Sequence, residues 1–145
     1  MQGTADQPGV WPWPEALEAV VAAPGSHRVV FENPITRVLA VTIAPGDQEP
    51  EHTHRWPSVM VVHRPARIRY WTGDTLTFTS PEQPSAAAHE PRVSWLDPEG
   101  PHSVENIDSY AYQALRIELK QPCPPNPPPA LRLPWSRAAP AASGR

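Results

Sequence analysis

Over residues 28–120 the chain is a succession of short β-patterned runs, each cut off by proline, glycine or aspartate. This punctuation leaves room for little but a small antiparallel fold. Residues 29–32, 35–44, 58–63, 68–71, 75–79, 93–96 and 110–120 read as strands. In the second run Val38, Ala40 and Thr42 alternate with Leu39, Val41 and Ile43, the period of a pleated strand. Thr72-Gly73-Asp74 between two runs is a hairpin turn. The expectation is an all-β sandwich or barrel.

The two ends differ from this middle. Residues 1–13 carry Gly, Pro and two tryptophans and read as an irregular arm. Residues 14–23 read as a short helix, with Pro14 in the first turn, Glu15 favouring the dipole and Pro24-Gly25 as the stop. Leu17, Val20 and Val21 are expected to pack onto the body. Residues 121–145 hold eight prolines and read as a polyproline-like tail, with Leu131, Leu133 and Trp135 as apolar points. The organisation expected is an arm and helix over 1–27, a β domain over 28–120 and a tail over 121–145. Residues 81–91 form a Pro/Ala-rich loop in which His89 reads as solvated.

At 145 residues and 16.0 kDa, one compact domain is expected. A formal charge of −3 without a basic stripe argues against nucleic-acid binding. The single cysteine, Cys123, excludes an intrachain disulfide. No apolar run approaches the ~20 residues that span a bilayer, and the N-terminus has no signal-peptide pattern. A cytoplasmic protein without membrane attachment is the expectation.

Histidine is plentiful, with six in the chain. His52 and His54 are two apart, so on a strand both point to one face and can converge on a cation. His102 follows far along the chain.

These residues carry a resemblance. Gly46, His52 and His54 resemble the first motif of the cupin superfamily, which runs Gly, five residues, His-x-His, then Glu and Gly. Ser58 stands where that motif has glutamate, and Pro65 where it has glycine. Pro98, Gly100, His102 and Asn106 resemble the second motif, with one residue fewer between Gly100 and His102. The similarity covers residues 28–120.

The resemblance implies a cupin-type jelly-roll β-barrel, here with a short N-terminal helix and a proline-rich tail. It implies one mononuclear divalent metal held inside by His52, His54 and His102, open to water or substrate. Nitrogen ligation favours iron or zinc, with nickel and manganese also allowed. Ser58 and Asn106 are expected as supporting groups, and Met60 and Val62, of Ser58's parity, as pocket lining. The missing carboxylate leaves the site more positive, which favours a small oxygenated or anionic molecule. Two functions stay open: a metal-dependent enzyme such as a three-histidine dioxygenase, or a non-catalytic module for ligand sensing or partner binding.

Neighbouring residues read more plainly. Glu51 and His63 should face away, and Glu49 reads as a solvated turn residue, with a substitute metal ligand as the alternative. His27 has no evident partner, and no inward Asp or Glu is identifiable as a base. Tyr70, Trp71, Phe78, Trp95, Tyr110 and Tyr112 read as core. Arg67, Arg69 and Arg116 read as a solvated face, although one inward arginine would clamp a carboxylate. Val59 and Val61 are expected to be exposed and to support a homodimer.

Overall fold

A computed structural model describes residues 10–81 and 91–120. The expectations for Cys123, His89, Leu131, Leu133 and Trp135 lie outside the described residues. Among the described residues, the chain forms β1 (His27–Glu32), β2 (Thr36–Ile43), β3 (His52–His54), β4 (Ser58–Arg64), β5 (Ile68–Thr72), β6 (Thr75–Thr79), β7 (Arg92–Leu96), β8 (Glu99–Asn106) and β9 (Tyr112–Leu119). They make two antiparallel sheets, one of order β1-β2-β9-β4-β7 and one of order β3-β8-β5-β6. This is the expected jelly roll.

The alternation along β2 works as read: Arg37, Leu39, Val41 and Ile43 are buried between partly exposed neighbours. Leu39, Val41, Ile43 and Ala114 form the core, with Val20, Met60, Val62, Val104 and Tyr112 packed against them. The Gly73-Asp74 loop joins β5 to β6, and Gly73 takes a left-handed φ of 57° that glycine adopts without steric cost.

Two elements depart from expectation. β8 contains Gly100 and Pro101, which discourage a strand reading; they sit in a bulge, between His52 paired with His102 and His54 paired with Glu99. The helix expected over 14–23 divides into a 3-10 turn, Glu15–Leu17, and a helical turn, Ala19–Ala22. Glu18 breaks them with ψ 134°, because its backbone bridges Thr53 and its carboxylate meets buried Arg37. Ala19 and Ala23 pack inward while Val21, expected to pack, is 60% exposed.

Phe78 and Trp95, read as core, are exposed, since each lies on a sheet-edge strand. Val59 and Val61 are half-buried rather than exposed, because β4 runs between β7 and β9. They belong to an apolar stripe on the outer face: Trp95, Val59, Ile117, Val38 and Phe31 are successive cross-strand neighbours. Among the described residues no helix is long and apolar enough to cross a membrane.

Candidate metal centre

The two motif segments are stitched together by backbone. Gly46, at φ 78°, donates its N–H to the Asn106 carbonyl at 2.9 Å, and Asn106 N–H donates to Asp47 at 2.8 Å. The Asn106 side chain donates to the Ile43 and Tyr110 carbonyls at 2.9 and 2.8 Å. Asn106 therefore fixes the loops around the site and does not line the cavity.

The cavity lies between the sheets and has a volume of about 210 Å³. β3 contributes His52 and His54, β8 contributes His102, and all three are buried. The His52 ring centroid lies 5.1 Å from that of His54 and 4.5 Å from that of His102. A fourth ring joins them: His27, at the start of β1, lies 4.6 Å from His52 and 5.1 Å from His54. Only pairing of β1 with β2 brings it there, so the sequence offered no local signal. Two sets of donor atoms lie within 4.8 Å of one another, His27 with His52 and His54, and His54 with Glu99 and His102. His54 is common to both, and the expected trio of His52, His54 and His102 is divided between them.

The hydrogen bonds fix the tautomers. His52 Nδ1 lies 2.8 Å from the Pro50 carbonyl and His102 Nδ1 lies 2.7 Å from the Gly100 carbonyl. A carbonyl only accepts, so each Nδ1 carries the proton and each neutral ring has a bare Nε2. His54 Nδ1 lies 3.0 Å from Glu118 Oε1 and donates to that carboxylate. Burial is the main cause that lowers all four histidines, His27 to about 3 and His52 to about 4. Neutral rings with a pinned Nδ1–H and a free Nε2 are the form in which histidine binds metals.

Several acidic groups overturn the reading that no carboxylate faces inward. Glu49 is buried rather than solvated, and burial raises its carboxyl to about 7. It lies 3.6 Å from His27 Nδ1 and 3.9 Å from His52 Nε2. Glu118 is fully buried, held by Arg37 at 2.6 Å and reaching His54. Glu99 accepts from Arg116 at 2.6 Å and from Tyr70 at 3.1 Å, and the Tyr70 ring stacks on His102 at 4.9 Å. Arg116, read with the solvated face, is buried, because β9 alternates Ala114, Arg116 and Glu118 inward.

Met60 and Val62 line the cavity as their parity requires. Ser58 is fully buried but its Oγ has no hydrogen-bond partner among the described residues. Glu51 and His63 are exposed, as expected.

Compared as a sequence, the chain matches no protein-family model and no curated protein. Compared as a structure, it is similar to the crystal structure of a cupin domain from Bordetella pertussis. The two are 19% identical, with a TM-score of 0.54 over 66% of this chain and 92% of that one. An RmlC-like cupin family protein with a double-stranded β-helix fold from Methanocaldococcus jannaschii is 10% identical, with a TM-score of 0.47 over 64% of this chain and 77% of that one. The Cnp3 cupin domain of Schizosaccharomyces pombe is 13% identical, with a TM-score of 0.47 over 66% of this chain and 64% of that one. The jelly roll that encloses the histidine cluster has the fold of the Bordetella pertussis cupin domain. Its fold is the cupin fold, and the cluster could hold a metal ion.

Proposed function

We propose that this protein is a metal-binding small cupin that holds one divalent ion on His52, His54 and His102, with His27 beside them. The observation that carries the reading is the common state of the three motif rings: buried, neutral, Nδ1–H donated to oxygen and Nε2 left bare. Nitrogen donors suit iron or zinc, with nickel and manganese also compatible. When bound, such an ion supplies Lewis acidity or oxygen activation. The chain's own residues orient the rings through Pro50, Gly100 and Glu118, exclude water with Val41, Ile43, Met60 and Val62, and admit only a small molecule.

The same site serves an enzyme on a small oxygenated or anionic substrate or a non-catalytic ligand sensor. The test is metal content by mass spectrometry on untagged protein. About one ion per chain, lost in His52→Ala and His54→Ala with the far-UV circular dichroism retained, supports the reading. Unchanged content in those variants overturns it. Oxygen uptake by the iron-loaded protein then separates enzyme from sensor.

A further inference from the structure

Arg116 is the one cationic side chain lining the cavity among the described residues, and its environment is unusual. Its side chain is only 4% exposed. Nη1 donates to Glu99 Oε2 at 2.6 Å, while Nε and Nη2 are buried with no hydrogen-bond partner among the described residues. A guanidinium never gives up its proton in a protein. Two of its donors left unmatched in a dry interior are costly, and native structures rarely tolerate that. A partner that accepts from both is therefore expected.

The geometry specifies that partner. Glu99 occupies Nη1, so the free donors, Nε and Nη2, are the two that point from one edge of the planar group. That edge presents two parallel N–H bonds, the fork that matches the two oxygens of a carboxylate. Glu99 in turn is held by Tyr70, so it anchors the guanidinium and does not swing round to the free edge. Arg116 and the four histidines His27, His52, His54 and His102 line the same cavity. With Ser58 in place of an acidic ligand, the cluster also has no motif carboxylate of its own to balance a divalent ion.

We infer that the cavity takes a small carboxylic acid, its carboxylate gripped by the Nε–Nη2 edge of Arg116 and a second oxygen, nitrogen or sulfur donor turned toward the histidines. The volume of about 210 Å³ limits it to a molecule of a few carbons. Where the second donor meets a metal ion, the inference rests on the proposed metal site; the carboxylate grip itself does not.

The test uses the full chain, metal-free and zinc-loaded, and a set of two- to five-carbon carboxylic acids with 2-hydroxy, 2-oxo or 3-thiol groups, each paired with its primary amide. Binding is read by calorimetry and by the ligand-dependent rise in melting temperature. At least one acid is expected to bind on the order of 10- to 100-fold tighter than its amide. Arg116→Gln should remove that preference while metal content stays at the wild-type level. Arg116→Lys keeps the charge without the fork and should lose most of it. If Arg116→Gln does not fold, the acid-to-amide comparison on the wild type still decides. No acid binding in either form, or acid and amide binding alike, would overturn the grip. Acid binding that depends on Arg116 in a protein taking up no metal would uphold the grip and overturn the metal reading.

Discussion

Ser58 stands directly opposite Glu118 in the β4–β9 ladder, and Glu118, not Ser58, reaches His54. The short serine leaves space for the longer side chain across the sheet. Glu118 uses one oxygen on Arg37 Nε at 2.6 Å and the other on His54 Nδ1 at 3.0 Å. An acidic residue thus remains at this corner of the barrel, but one layer behind the histidines.

Putting glutamate back should therefore harm the metal-free protein. Ser58→Glu sets two carboxylates opposite each other in a dry interior, and an uncompensated buried charge costs about 3–5 kcal/mol. Urea unfolding should show that loss, and Ser58→Glu combined with Glu118→Ser should recover part of it. Equal stability of Ser58→Glu and wild type would refute this packing.

Glu118→Gln keeps the shape and removes the charge behind His54. Replacing such an orienting group typically weakens metal binding by about 10–100-fold. Chelator competition should show a loss of that size. Because His54 belongs to both close donor sets, His54→Ala should weaken binding more than His27→Ala or His102→Ala.

Acid should destabilise the metal-free fold. His27 and His52 are lowered to about 3 and about 4 in the folded state, against an ordinary value of 6.5. Between those values the unfolded chain binds more protons, so stability falls as pH drops below 6.5. Each histidine contributes at most about 1.4 kcal/mol per pH unit. Glu49, raised to about 7 from 4.5, works in the opposite sense, since its folded form holds a proton that the unfolded form has lost. Burial raises the Glu118 carboxyl as well, but four lowered histidines outweigh these two raised carboxyls, so denaturation midpoints should decline from pH 6.5 toward pH 4. A flat profile there would contradict the buried neutral cluster.

The outer stripe bears on assembly. Trp95 and Val93 are 55% and 65% exposed at one edge of a sheet whose outer face continues through Val59, Ile117 and Val38 to Phe31. A patch of this kind suits a self-complementary contact with a second copy. Sedimentation should give the mass of two chains at micromolar concentration, and Trp95→Arg should shift it to one. A single-chain mass for the wild type would refute the homodimer.

Local pattern made much of this protein legible. The period-two run in β2, the Gly73 hairpin and the His52-x-His54 pair each act over a few residues, and the structure keeps all three. The parity that put Met60 and Val62 into the cavity is equally local.

The remainder depended on partners distant in sequence. His27 enters the cluster through pairing of β1 with β2, and Glu118 finds His54 and Arg37 across two different strands. Arg116 and Glu49 carry charges that composition assigns to the surface. Glu99 pairs with buried Arg116, while Glu49 is buried with its carboxyl raised toward the protonated form. A charged residue's place is set by the partners that offset its desolvation. Those partners come from other strands, so the sequence determined the barrel and its histidine pair, and only the closed sheets decided which charges face inward.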